Sequence, residues 1–276
     1  MSNTNQKNPW WWVPTLYFAE GVPYFVVNNI SVMMFTKMGV PNGAMAFFTT
    51  LLYFPWFLKG LWGPIVDVVK TKRWWILLMQ LLIGASLAGI AFTIPTAVWF
   101  QCSMAFFFIM AFASATHDIS ADGFYMIELD EHRQTMFVGI RNTFYRLAVI
   151  FGNGVLVSLA GVLQVLFRNR IAYTWSLLFY GVAGLFIALW LYHGMRLPRP
   201  AGDQQAEGTF KEVADGLVEM FTKFFTKFPL KETVAVMLFL LLYRFPEALL
   251  NTMTKTFLMR PNSSGGLGLS PQEFGL

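Results

Sequence analysis

The chain has 276 residues, of which 56% are hydrophobic and 13% charged, with a mean hydropathy of +0.52. A soluble domain carries about 25% charged residues, and a fold of this size in water could not hide 29 Phe and 10 Trp. The single cysteine, Cys102, excludes an internal disulfide framework and a CxxC metal site. The net charge of +5 lies between apolar runs rather than along a basic stripe, which argues against nucleic acid as a partner.

A spanning helix needs about 20 mostly apolar residues. Seven runs meet this requirement: residues 10–36, 43–66, 74–98, 99–125, 136–167, 173–195 and 232–257. Residues 1–8 are polar and no small-residue cleavage site follows, so the first run is expected to stay as an anchor. Within it Tyr17, Glu20, Tyr24, Asn28 and Ser31 fall at steps of three and four, which makes a polar stripe on one helical face. Glu20 lies about 15 Å along the helix at 1.5 Å per residue, near mid-membrane. An ionisable group there is costly and is read as a substrate or proton site; a packed, hydrogen-bonded core acid is the competing reading. Pro23 should bend the helix just beyond it.

In the second run Lys59 reads as snorkelling toward the membrane surface. In the third and fourth, Ala85 with Gly89 and Ala111 with Ala115 are spaced by four, as close helix packing requires. Trp10–Trp12 and Trp74–Trp75 read as interfacial belts. His117, Asp118 and Asp122 fall in the last third of the fourth run, with Asp118, Asp122 and Tyr125 on one face. The fifth run brings Arg141 and Arg146 to a similar depth. An unpaired buried charge costs several kcal/mol, so Arg146 is expected to contact Asp118 or Asp122. His132 is assigned to a solvated loop, and His193 ends the sixth run without a partner at ligand spacing.

Between the sixth and seventh runs, Phe210, Val213, Leu217, Phe221, Phe224, Phe225 and Phe228 recur at helical spacing, with Thr209 and Glu212 as a capping box. This segment is read either as an amphipathic helix on the membrane surface or as a packed linker helix. In the seventh run Arg244, Glu247, Asn251 and Lys255 share a face. Arg244 could meet an anionic substrate group or pair with Glu247 alone. Ser270, Pro271 and Glu273 form a helix-start pattern, so the chain is expected to stop where an eighth helix begins.

Basic residues set orientation. Lys70, Lys72, Arg73, Arg133, Arg196, Arg199, Lys211, Lys223, Lys227 and Lys231 fall on one side, against Lys37, Arg168 and Arg170 on the other. The amino terminus and the central loop are therefore expected to be cytoplasmic.

Three stretches carry a family resemblance. In FLKGLWGPIVDVVKTKRWW, Gly63 and Asp67, followed by Lys72 and Arg73, resemble the loop between helices two and three of major facilitator transporters, with Val68 where that pattern has Arg or Lys. ASATHDISADGFYMIELDEHRQ resembles the Ser/Thr-Gln-Asp-Ile-x-x-Asp signature of the muropeptide permease (AmpG) and acetyl-coenzyme A transporter group, with His117 in place of Gln. The segments YRL with FGNG, and LLYRFPEALLNTMTKTFLMR, are similar to the fifth and seventh helices of that group.

The resemblance implies an all-α membrane protein. Residues 1–195 would form a six-helix half, 196–231 a cytoplasmic central loop, and 232–276 the first helix of a second half with the start of the next. It implies a secondary transporter of a bacterial inner membrane, importing a polar or anionic metabolite such as a muropeptide-like sugar-peptide with protons as the coupling ion. Glu20, Tyr24, Asn28, Arg244, Glu247 and Asn251 are the candidate substrate and proton residues. Partners would be the lipid bilayer, a small-molecule substrate and the missing carboxy-terminal half. No cofactor or metal is expected, and no GxxxxGK[ST], HExxH or GxSxG signature occurs. The alternatives are a complete seven-helix receptor or sensor and a membrane-embedded enzyme using His117 and Asp118.

Overall fold

The computed structural model describes residues 8–167 and 170–204, together with part of the segment from 212 to 267, chiefly 229–239. The chain divides into two compact units, Met1–Gly208 and Thr209–Leu276. The described residues contain helices and no strand.

In the first unit the helices are α1 (Val13–Phe25), α2 (Ser31–Lys37), α3 (Asn42–Leu52), α4 (Phe54–Leu58), α5 (Gly63–Val69), α6 (Lys72–Thr93), α7 (Trp99–Glu128), α8 (Glu131–Ile150), α9 (Val157–Leu166) and α10 (Ile171–Arg196). They make six spans. Four are long, apolar stretches able to cross a bilayer: Lys72–Thr93, Trp99–Glu128, Glu131–Leu166 and Ile171–Arg196. The first two spans are interrupted. One joins α1 to α2 through a π turn at Val26–Ile30, and the other is broken into α3, α4, a 3-10 turn at Lys59–Leu61 and α5.

Local chemistry explains several boundaries. Thr71 caps α6 by accepting from the Trp74 amide at 3.2 Å, and Asp130 caps α8 by accepting from the Arg133 amide at 2.8 Å. His132 is therefore in the first turn of α8, where it is exposed, rather than in a loop. Gly39 takes φ +81 in the turn between α2 and α3, a conformation that favours glycine. The π turn in the first span follows Pro23, which has no N–H to give the helix ladder. Asn28 Nδ2 donates to the Tyr24 carbonyl at 2.9 Å, and Ser31 Oγ donates to the Val27 carbonyl, so side chains satisfy backbone groups there. A second π turn, Phe151–Leu156, joins α8 to α9.

α6 packs against α7 and α10, and α1 against α7 and α8. Glycines allow the closest approaches. A Cβ on Gly21 would lie 2.7 Å from Ala148 Cβ and 2.9 Å from the Tyr145 carbonyl oxygen. One on Gly152 would fall inside the Phe25 ring, and one on Gly89 would fall against Phe106. The spacing argument holds for Gly89, Ala111 and Ala115, but Ala85 is exposed and Gly84 takes its place against Phe186 of α10.

Two apolar clusters form the core. The larger includes Val22, Ile83, Phe107, Ala113 and Phe186; the smaller includes Trp12, Tyr17, Ile76, Ala121, Phe124 and Leu197. In each of four helices a polar side chain separates the two clusters: Glu20 in α1, Gln80 in α6, His117 and Asp118 in α7, and His193 in α10. The outer surface carries large apolar side chains, among them Phe57, Phe92 and Val165, as a lipid-facing surface should.

In the second unit the described residues between 212 and 226 are helical and exposed. Lys223 Nζ lies 2.6 Å from Glu219 Oε1, one turn away, and this hydrogen bond holds the Glu219 carboxyl below its ordinary range. The phenylalanines of the expected amphipathic helix, Arg244, Glu247, Asn251 and Lys255, and the helix start at Ser270 lie outside the described residues.

Candidate functional site

Three carboxylates converge between α1 and α7. The Tyr17 hydroxyl donates to Asp122 Oδ1 at 3.0 Å, and Arg141 Nη2 lies 3.2 Å from the same oxygen. The Arg141 guanidinium lies over the Tyr17 ring at 4.8 Å and the Tyr125 ring at 5.2 Å. The two rings meet edge to face at 5.9 Å. Arg141 is thus held near two aromatic rings set at right angles to each other and by a carboxylate. One turn earlier on α7, Asp118 Oδ2 lies 3.4 Å from Lys59 Nζ of the broken second span. Glu20 is the third acid. It is buried, and its charge is felt together with those of Asp118, Asp122, Lys59 and Arg141. Its Oε2 has no hydrogen-bond partner.

Beside Glu20, Tyr24 meets Trp56 edge to face at 5.1 Å, and Asn28 leaves its Oδ1 buried without a partner. The polar stripe read in the first span therefore faces the bundle interior, although Asn28 and Ser31 spend their donors on their own helix.

The pairing differs from that expected in two respects. Arg146 is exposed and does not reach either aspartate; Arg141, five residues earlier on α8, takes Asp122. A five-residue step rotates about 140° around a helix at 3.6 residues per turn, so the two arginines cannot share a partner. Lys59 does not simply snorkel outward, because the 3-10 turn after α4 directs it to Asp118.

A second buried constellation crosses four helices. Thr15 Oγ1 lies 2.9 Å from His193 Nε2, His193 Nδ1 lies 3.0 Å from Gln80 Oε1, and Gln80 Nε2 lies 3.0 Å from His117 Nε2. Gln80, His117 and His193 are fully buried. Two assignments give every link a donor and an acceptor: Thr15 O–H to His193 Nε2 with His193 Nδ1–H to Gln80 Oε1, or His193 Nε2–H to Thr15 Oγ1 with Gln80 Nε2–H to His193 Nδ1 at 2.8 Å and the Thr15 hydroxyl turned to the Trp12 carbonyl; in both, Gln80 Nε2–H donates to His117 Nε2. His117 then carries its proton on Nδ1, which has no partner. His193, which has no partner at ligand spacing along the sequence, is hydrogen-bonded at both ring nitrogens by residues of other helices. Nothing in the spacing of Thr15, Gln80 and His193 could have revealed this, because they come from helices far apart in sequence.

The loop between the second and third spans is built from the expected residues. Lys72 Nζ pairs with Asp67, and the stem of Lys72 crosses α7 where Gly123 leaves room, since a Cβ there would lie 2.9 Å from Lys72 Cε. Arg73 Nη2 donates to the Gly194 carbonyl at 2.7 Å. Asp203, which sequence reasoning missed, accepts from the Lys72 amide at 2.6 Å and the Arg73 amide at 3.0 Å. It thereby supplies a carboxylate to the first turn of α6. Gly63 makes no tight contact, the nearest atom to a Cβ being Ile119 Cγ2 at 3.9 Å. A cavity of about 510 Å³ lies among these residues, lined by Lys59, Asp67, Lys72, Asp122, Gly123 and Met126. It reaches Asp122 from the basic end of the bundle, while Glu20 is not among its lining residues.

Four helices long and apolar enough to cross a bilayer, in a bundle that holds ion pairs between its helices, define a polytopic helical membrane protein. The chain matches the BT1 family over residues 20–245 and belongs to that family. It is 23% identical over 267 residues to the anhydromuropeptide permease of Escherichia coli strain K12, covering 95% of this chain and 50% of that one. It is 25% identical over 247 residues to an uncharacterised Haemophilus influenzae protein, covering 87% of this chain and 55% of the other. The chain thus spans about half the length of the curated relatives it matches. Among solved structures it is similar to a crystal structure of a peptide transporter, POT, in complex with sulfate. The TM-score is 0.54 and the identity 16%, over 83% of this chain and 45% of that one. That likeness concerns the fold.

Proposed function

We propose that this chain is the amino-terminal part of a secondary active transporter that imports a polar or anionic metabolite with protons as the coupling ion. The observation that carries the reading is a charge count. Among the described residues the cluster holds three carboxylates, Glu20, Asp118 and Asp122, against two cations, Lys59 and Arg141. A fully ionised cluster carries one net negative charge, and its buried members Glu20 and Asp118 bear the cost. A proton that comes and goes on these carboxylates relieves it, and Glu20, with a free buried oxygen, is the place for it. Asp122 lines the cavity at the basic end and accepts from Tyr17, which lies one helical turn from Glu20 on α1, so the proton's entry is assigned to that side.

The similarity to an anhydromuropeptide permease makes a sugar-peptide the first substrate to try. Residues 1–195 would be one half of the transport unit, 196–231 the central loop and 232–276 the opening of the second half. Arg244, Glu247 and Asn251 are the candidate substrate residues of that segment. The amino terminus would face the cytoplasm of a bacterial inner membrane. Substituted-cysteine labelling from outside near Asn42, with protection near Lys72, supports that orientation, and the reverse pattern sinks it.

The main test uses the full-length protein in proteoliposomes with an imposed pH gradient and labelled anhydromuropeptide. Uptake against a concentration gradient is expected in the wild type. Glu20→Gln should abolish it while substrate exchange survives. Uptake indifferent to the pH gradient, or uphill uptake retained in Glu20→Gln, would falsify proton coupling at this site.

A further inference from the structure

The span that begins with α8 carries a polar sector that the ion-pair cluster does not use. At about 100° per residue, Asn142, Arg146 and Asn153 fall within about 40° of one another around the helix, and all three are exposed. The side that packs on α1 is a different one. It holds Ala148, Gly152 and the Tyr145 carbonyl, which meet Gly21 and Phe25. Leu147 and Ile150, 40% and 63% exposed, lie beyond the sector on its far side.

Depth sets this sector apart. Arg146 is near the middle of the 36-residue span Glu131–Leu166. The carbonyl of the residue before it would lie 2.9 Å from a Cβ on Gly21, the neighbour of Glu20, so Arg146 is level with the buried carboxylates. It is not one of their partners. Asp118 is paired with Lys59 and Asp122 with Arg141, and Arg146 makes no ion pair among the described residues. Asn153 donates from Nδ2 to the Val149 carbonyl of its own helix at 3.3 Å.

A guanidinium and two carboxamides at mid-bilayer depth are costly against hydrocarbon; charges at that depth face a bundle interior or water. A packed protein surface would have to match each of their donors and acceptors with fixed groups. Water matches them without fixed geometry. We infer that this sector lines an aqueous passage and that Arg146 binds an oxyanion of the transported molecule, a carboxylate or a phosphate. The inference rests on the transport reading and commits it to an anionic substrate. The fork of N–H donors on a guanidinium suits two oxygens of one such group. No acid occurs between Gly139 and Gly154 to compete for it.

The test measures thiol reaction rates in the full-length protein in proteoliposomes, with Cys102→Ala as the background. Asn142→Cys lies one turn from Arg146, about 6 Å away. A unit charge at that distance in water changes the local concentration of a monovalent ion about threefold. The change has opposite sign for an anionic sulfonatoethyl and a cationic trimethylammonioethyl methanethiosulfonate. Their rate ratio should therefore shift about tenfold when Arg146→Gln is added, and Arg146→Lys should keep it. Leu147→Cys and Ile150→Cys should react far more slowly with both reagents. An unreactive Asn142→Cys overturns the passage. A ratio indifferent to Arg146→Gln overturns the anion site, and a carboxylate from elsewhere in the protein paired with Arg146 would give that result. Anhydromuropeptide, through its peptide carboxylates, or glucose 6-phosphate, through its phosphate, should slow the labelling of Asn142→Cys, and Arg146→Gln should remove the protection. Protection by neither overturns binding at Arg146. The labelling rates do not depend on uptake, so a loss of proton-driven uptake sinks the transport reading without altering them.

Discussion

Replacing Gln80 with Leu removes the amide that joins two buried imidazoles while nearly conserving volume, so little cavity cost is expected. His193 Nδ1, now 3.0 Å from Gln80 Oε1, and His117 Nε2, now 3.0 Å from Gln80 Nε2, would both face hydrocarbon. Hydrogen bonds between membrane helices average about 0.6 kcal/mol and reach about 1.7 kcal/mol. Two such bonds give a loss of about 1–3.5 kcal/mol. The upper part of that range is expected, because His117 would be left with no partner at either ring nitrogen. Reversible unfolding of the full-length protein in mixed micelles reads the difference directly. A cycle of Gln80→Leu, His193→Leu and the double variant should show a coupling of about 0.6–1.7 kcal/mol. A change below about 0.5 kcal/mol, or strict additivity, would refute the claim that the chain from Thr15 to His117 holds four helices together.

Three other outcomes follow from the same geometry. Asp203→Ala should cost about 1 kcal/mol, as loss of a helix cap does, and should speed amide exchange at Lys72 and Arg73; unaltered exchange there removes the cap argument. Gly21→Ala should destabilise by about 1–3 kcal/mol, because its Cβ meets the Tyr145 carbonyl at 2.9 Å. Gly139→Ala, with nothing within 4 Å, should instead stabilise by up to about 1 kcal/mol through helix propensity, and like signs for the two in thermal unfolding contradict the packing. Arg141→Lys keeps the charge beside Asp122 but loses the guanidinium's contacts with the Tyr17 and Tyr125 rings. It should cost about 0.5–2 kcal/mol, and an unfolding midpoint equal to wild type shows the ring contacts to be idle.

The sequence by itself determined the class of protein, because bilayer thickness turns about 20 apolar residues into a spanning helix. It also located the groups worth attention, since Glu20, Asp118 and Asp122 stand out as acids within apolar runs. Periodicity placed Tyr17 and Glu20 on one interior face, and the pattern from Gly63 to Arg73 marked the loop where Asp67 meets Lys72. Which groups touch was decided only by the tertiary structure. Arg141 rather than Arg146 reaches Asp122 because helix rotation separates residues five apart. Lys59 reaches Asp118 because a 3-10 turn breaks the second span; Pro55, Gly60 and Pro64 mark the break in the sequence, but not the partner it gives Lys59. Thr15, Gln80, His117 and His193 meet because four helices of unrelated sequence position pack at one level. Spacing along a chain reports neighbours on a single helix; partners across helices depend on the rotation and depth at which the helices pack.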